Sequence, residues 1–360
     1  MRPAAPRRPR RPCSSSAGSR TARPTWPPVS VSVESTTYRQ SVWLARPWCG
    51  TTCSCTQASS RLRPDPMSNL YFNNQYTACE HAFDTTRKSA AIAASVLERP
   101  IESVIITDPT ASTLATEDLL RRLHQREYVQ AVRTGDNRAL AESQGFTWDE
   151  GVYTMAVAHN SGLVAATDAV LLGDDRWAGS LSSGLHHASS TSGSGYCTFN
   201  GLAVAAQRAR DHGAQRILVI DLDAHCGGGT YEMTRHLDLV QIDVSTSSFD
   251  WWRPTDDDKE SDLEFSAPED YLPKVQRALQ RATRLGPWDF VLYNAGMDPF
   301  NSGVSSAVLR TREQMVAEWT ANAGVPTVVT IAGGYTWGDV TMEQLVGLHR
   351  STFEEFAAAA

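Results

Sequence analysis

The chain has 360 residues, 41% hydrophobic and 20% charged, a globular composition long enough for one large domain or two ordinary ones. No run of about 18 consecutive apolar residues marks a membrane span. The net charge of −7 is unevenly held: residues 1–66 carry eleven arginines, no lysine and two acids, a local +9, which leaves −16 on the other 294 residues. That acidity argues against a nucleic-acid-binding body and suits cationic substrates.

Residues 1–66 hold ten of the eighteen prolines and four of the seven cysteines, with no helical or strand period, so no domain is assigned to them. Cys53 and Cys55 form a C-x-C with no histidine before His81, which does not make a zinc knuckle. The segment reads as disordered, or as upstream sequence before a true start at Met67, and 67–360 as the catalytic body. The body's three cysteines, Cys79, Cys197 and Cys226, suit a reducing, cytoplasmic setting rather than a disulfide scaffold.

From Met67 onward, short β-branched runs alternate with helical patterns. Ser103 to Thr107 reads as a strand, Glu117 to Val132 as one or two helices, and Gly151 to Leu172 and Phe199 to Asp211 as helices. Apolar strands follow at Arg216 to Asp221, Leu239 to Val244, Phe290 to Asn294 and Pro326 to Ile331. Helices at Tyr271 to Thr283, Arg310 to Ala323 and Met342 to Phe356 complete the pattern. Continuously apolar strands separated by helices predict an α/β fold, a mostly parallel sheet covered on both faces.

Active sites of such sheets lie beyond the carboxyl ends of the strands. Those ends read Asp221-Leu222-Asp223-Ala224-His225, Asp243-Val244-Ser245, Asn294-Ala295-Gly296-Met297-Asp298-Pro299 and Gly333-Gly334-Tyr335, and the doublet His186-His187 lies upstream. In an extended Asp223-x-His225 both side chains point to one side. With Asp298 they offer three N/O ligands, a set that suits Zn²⁺, with Fe²⁺ or Mn²⁺ as alternatives, and leaves room for water and substrate.

The stretches L-H-H-A at 185–188, G-Y-C at 195–197, D-L-D-A-H at 221–225, N-A-G-M-D-P at 294–299 and A-G-G-Y at 332–335 together resemble the zinc-dependent histone deacetylase and acetylpolyamine amidohydrolase superfamily. L-H-Q-R-E-Y-V at 123–129 looks like that family's H-x-x-x-Y segment. The resemblance covers roughly 67 to 358 and implies a single-domain, three-layer arginase/deacetylase fold. It implies that Asp223, His225 and Asp298 hold the metal, that His186 and His187 stand beside the attacking water, and that Tyr335 donates its hydroxyl to the acyl carbonyl. It further implies that Asp221 bonds His186, that Gly195 and Tyr196 line a substrate channel, and that Asp221 and Ser245 contact a monovalent cation, K⁺.

The activity implied is zinc-dependent hydrolysis of an acetyl or short acyl amide on a lysine side chain or a small amine, with Fe²⁺ as the alternative metal. The partner is then an acetylated amine, small molecule or acetyl-lysine protein, with neither nucleic acid nor membrane involved and with a homo-oligomer compatible. An arginase-like ureohydrolase and a catalytically silent binding member of the fold are the competing readings. The sequence departs from class I histone deacetylases at His225-Cys226-Gly227-Gly228-Gly229, where those carry H-H-G-D-G. The aspartate that orients their second histidine is absent at Gly228, so a backbone carbonyl or water is expected to orient His187. Cys226 reads as a small packed residue. The stretch from Phe249 to Phe265, rich in acids and bearing Trp251 and Trp252, reads as a solvated acidic loop, with a rim that attracts cationic amines as the alternative.

Overall fold

A computed structural model describes residues 67–80 and 87–360 of the chain. The expectations for residues 1–66 lie outside the described residues. Eight strands form one sheet: β1 (Ser68–Tyr71), β2 (Val104–Thr107), β3 (Trp177–Ser180), β4 (Ile217–Asp221), β5 (Val240–Ser245), β6 (Asp262–Phe265), β7 (Phe290–Gly296) and β8 (Thr327–Ala332). Their order is β2-β1-β3-β8-β7-β4-β5-β6, and every pairing is parallel. Parallel neighbours need crossovers, which the helices supply.

The apolar strands are continuous because each face meets a different helical layer. Leu218, Ile220, Val291, Tyr293, Val329 and Ile331 face one cluster with residues of α1 (Lys88–Glu98), α8 (Tyr271–Leu285), α9 (Ser306–Ala323) and α10 (Met342–Ala359). The alternate residues Ile217, Val219, Phe290, Leu292 and Val328 face α5 (Glu150–Leu172) and α6 (Gly201–Asp211). This period-two division is the three-layer arrangement of the expected arginase/deacetylase fold. Truncating a fully buried member such as Leu292→Ala would cost about 2–5 kcal/mol.

The helix pattern expected over Glu117 to Val132 resolves into α2 (Thr113–Leu123) and α3 (Arg126–Thr134), broken at His124. Helix α5 has the length and apolar composition of a membrane span, yet 78% of its most apolar window is buried within the fold. Helix α1, the short α4 (Arg138–Ala141) between α3 and α5, and α7 (Gly228–Thr234) were not expected, nor were β1, β3 and β6. Because all strands run the same way, the carboxyl ends of the five neighbours β3, β8, β7, β4 and β5 share one rim.

Candidate metal centre and active site

The histidine pair lies in the segment between β3 and α6, and buried hydrogen bonds hold that segment from several sides. Asn200 donates its side-chain amide to the carbonyls of His186 (3.2 Å) and Ala188 (2.9 Å), and the Thr230 N–H donates to the His186 carbonyl at 2.9 Å. His124 and Tyr128, the H-x-x-x-Y pair, brace the same segment rather than entering the site. His124 Nδ1 donates to the Ser189 carbonyl at 3.0 Å while its Nε2 accepts the Asn200 N–H at 3.2 Å, and the Tyr128 hydroxyl donates to the Thr198 carbonyl.

Asp221, the last residue of β4, is buried and holds His186 Nδ1 at 2.8 Å. Its other oxygen accepts the Asn294 side-chain amide at 2.9 Å and the Asp223 N–H at 3.1 Å. Ser245 ends β5, buried, with its hydroxyl 3.3 Å from the His225 carbonyl.

Beyond Asp221 the three expected ligands converge. His225 Nδ1 lies 2.8 Å from Asp298 Oδ2 and 3.2 Å from Asp223 Oδ1. Ligand atoms of His187, Asp223 and His225 all fall within 4.8 Å of one another. Asp298 Oδ1 accepts the Ala224 N–H at 2.8 Å, whereas its Oδ2 is buried with no properly directed hydrogen bond. A buried carboxylate oxygen aimed at a second carboxylate and an imidazole fits a bound cation, since three buried acids in one place are costly unless compensated. Burial, then Asp223, pushes Asp298 up to about 6. Burial opposes a charge on His225, but Asp223 and Asp298 overcome it and raise its pKa to about 11. Asp223, though buried, stays below the usual carboxylate range because His186 and His225 face it.

The two histidines of the doublet are pushed apart. Burial works against a charge on His186, yet Asp221 and Asp223 raise its pKa to about 10. Burial, reinforced by His186, lowers His187 to about 4, so its ring is neutral near pH 7.

His187 is oriented neither by a backbone carbonyl nor by water, as its partner is Asp250, with Nδ1 to Oδ2 at 2.9 Å. The expectation drawn from Gly228 is thereby corrected. It failed because Asp250 is far from the motif in sequence and reaches His187 only once the loop after β5 closes.

Tyr335 stands after two residues in the left-handed region. Gly333 has φ +47°, and a Cβ there would sit 2.4 Å from Asp298 Cγ, so only glycine lets this turn approach the ligands. The Tyr335 ring stacks on Trp337 with centroids 4.1 Å apart. Gly195 and Tyr196 line a narrow cleft of about 50 Å³ together with Phe146, Met155, His187, Asp223, Asp298 and Tyr335. Phe249 closes in edge-on to His187 and His225, at 4.9 and 5.7 Å.

Sequence reasoning missed Asp250, Phe249, Phe146 and Lys88. Lys88 is buried and lines the cleft, its Nζ 3.1 Å from the Ser183 hydroxyl, and burial lowers its pKa to about 8. A lysine at the head of an otherwise apolar helix was the available signal. Cys226 packs with Tyr231 and Trp252 as expected. Apart from Asp250, three acids of the 249–265 stretch are engaged away from the cleft. Glu260 pairs with Arg216 and Glu264 with Arg277, each at 2.9 Å, and Asp258 accepts the Glu260 and Ser261 N–H groups.

A family model described as histone deacetylase domain matches residues 81–249. An uncharacterized protein of Picosynechococcus sp. is 29% identical over 232 residues, 60% of this chain and 75% of its own. The acetoin utilization protein AcuC of Staphylococcus aureus is 30% identical over 126 residues, but that match spans only 32% of each protein. The crystal structure of acetylpolyamine aminohydrolase from Burkholderia pseudomallei shares the fold with a TM-score of 0.63 at 17% identity, covering 81% of this chain and 99% of that one.

Proposed function

From its membership of the histone deacetylase and acetylpolyamine amidohydrolase superfamily, to which this chain belongs as a deacetylase-type hydrolase, we propose that it removes an acetyl or short acyl group from an amine in a zinc-dependent reaction. The observation that carries this reading is the convergence of Asp223, His225 and Asp298 beside a neutral His187. Those three residues would hold the divalent ion, Zn²⁺ or alternatively Fe²⁺, which when bound supplies Lewis acidity to the acyl carbonyl and acidifies water.

The chain's own groups do the rest. His187 takes the proton of the attacking water at Nε2 and returns it to the departing amine, a role worth about 10²–10⁴-fold. Its Nδ1–H, given to Asp250, leaves Nε2 free to accept. His186, charged between Asp221 and Asp223, stabilises negative charge as it builds up. The Tyr335 hydroxyl, kept protonated because burial raises its pKa, donates to the developing oxyanion. Gly195, Tyr196 and Phe249 wall the passage through which the acyl group enters.

The same proposal makes the partner an acetylated small amine or acetyl-lysine protein, in the cytoplasm and without nucleic acid or membrane. It places K⁺ against the Asp221 backbone and Ser245, and a homo-oligomer is compatible with so narrow a cleft. A two-metal ureohydrolase is disfavoured, because the His186-His187-Ala188 and Gly333-Gly334-Tyr335 combination favours the deacetylase side.

The test is acetate release from an acetyl-lysine peptide and from acetylated polyamines, by metal-stripped protein reloaded with Zn²⁺ or Fe²⁺. Metal-restored turnover of at least one substrate supports the reading. No turnover of any of them by the loaded protein would oppose it.

A further inference from the structure

Asp250 follows Phe249 in the loop after β5, and its backbone is held at φ +58°, a region that few residues other than glycine adopt and that aspartate tolerates better than most. The loop is fastened to the ligand-bearing segment. Thr246 and Ser247 both donate N–H to the Ala224 carbonyl, at 2.9 and 2.8 Å, and the Cys226 N–H donates to the Phe249 carbonyl at 3.0 Å. So anchored, Asp250 directs one carboxylate oxygen at two donors, His187 Nδ1 at 2.9 Å and the Gly229 N–H at 3.0 Å.

Gly228 completes the arrangement. A Cβ at that position would lie 2.4 Å from the Asp250 carbonyl oxygen and 2.5 Å from its Oδ1. The first of these is backbone, so the clash cannot be relieved by a side-chain rotation. A side chain at 228 and the observed Asp250 therefore exclude one another. A second cavity of about 440 Å³ is lined by His187, Gly228 and Asp250, and the Asp250 side chain is 25% exposed where that of His187 is 4% exposed.

We propose that Asp250 is the positioning residue for His187: the loop after β5 supplies the orienting carboxylate, and Gly228 is left without a side chain to make room for it. The carboxylate fixes the proton on Nδ1 and the lone pair on Nε2, facing Asp223 and His225. A bond to the Gly229 N–H alone would make Asp250 only a cap for α7, and the test separates the two roles. The proposal rests on the deacetylase reading for its kinetic arm and not for its spectroscopic one.

The experiment uses the full zinc-loaded chain with Asp250→Asn and Asp250→Gly. The amide of Asp250→Asn can donate to Nδ1 and favour the wrong tautomer, so kcat should fall at least about 100-fold with KM within about twofold. Formate, admitted through this second cavity, should restore part of the activity of Asp250→Gly. Independently of turnover, ¹⁵N NMR of histidine-labelled protein should show the His187 ring protonated at Nδ1 in the parent and altered in Asp250→Asn.

Unchanged ¹⁵N shifts for His187 in Asp250→Asn would overturn the proposal, as would kcat within threefold of the parent in both variants. If the parent hydrolyses none of the acetylated amines, the deacetylase reading fails while the ¹⁵N shifts still decide whether Asp250 positions His187.

Discussion

The side-chain amide of Asn301 clamps the backbone of Tyr335 on both sides: its Nδ2 donates to the Tyr335 carbonyl at 2.9 Å, and its Oδ1 accepts the Tyr335 N–H at 3.0 Å. Asn301 comes from the loop after β7, three residues beyond Asp298, so the ligand strand and the tyrosine turn are tied together. The turn itself contains Gly333 and Gly334 and has little stiffness of its own. Asn301 is exposed, and its replacement should cost little stability. Asn301→Ala is expected to lower kcat about 5- to 30-fold with the melting temperature nearly unchanged, and Tyr335→Phe to lower it about 10²–10³-fold. Steady-state kinetics with parallel thermal melts check both, and an Asn301→Ala enzyme with parental kcat would show that the clamp does not matter.

His124 makes stability depend on pH. Burial lowers its pKa from 6.5 to about 4 against the raising effect of the Ser189 carbonyl, and its Nε2 lone pair accepts the Asn200 N–H, a bond that a protonated ring would lose. The unfolded chain therefore takes up this proton first as pH falls. The contribution is complete above about pH 6.5 and is lost progressively towards pH 4, up to roughly 3 kcal/mol. His124→Gln does not titrate, so its melting temperature should fall less steeply across that window than the parent's. Parallel curves would contradict the assignment.

Phe249 is 46% exposed yet presents its edge to two site imidazoles. It contributes wall rather than chemistry, so Phe249→Ala should raise KM about 3- to 10-fold, equivalent to about 1 kcal/mol of lost apolar contact, and leave kcat within about threefold. A collapse of kcat with KM unchanged would assign the ring a different role.

How far the sequence exposes this architecture depends on what kind of residue is asked about. The central strands could be read because both their faces are buried, so Ile217 to Ile220 and Phe290 to Tyr293 are apolar without interruption. Their ends then point to Asp223, His225 and Asp298 by topology alone. Strand β3, Trp177–Ser180, has small residues because Leu70 and Phe353 crowd Gly179, and β6 is a half-exposed edge strand whose acids make it look like loop. Helix α7 opens on two glycines, against helix propensity. Asp250 and Asn301 could not be assigned a role from sequence, as each acts on a residue more than thirty positions away through contacts that exist only after the loops close.

The central claim is that Asp223, His225 and Asp298 hold one divalent ion on which turnover depends. It is tested most directly by titrating metal-stripped protein with Zn²⁺ while following both bound metal and acetate release, beside Asp298→Asn. Activity should rise from near zero and break at one ion per chain, and Asp298→Asn should show neither tight binding nor turnover. Full activity in the stripped protein, or a parental break point and parental turnover in Asp298→Asn, would contradict it.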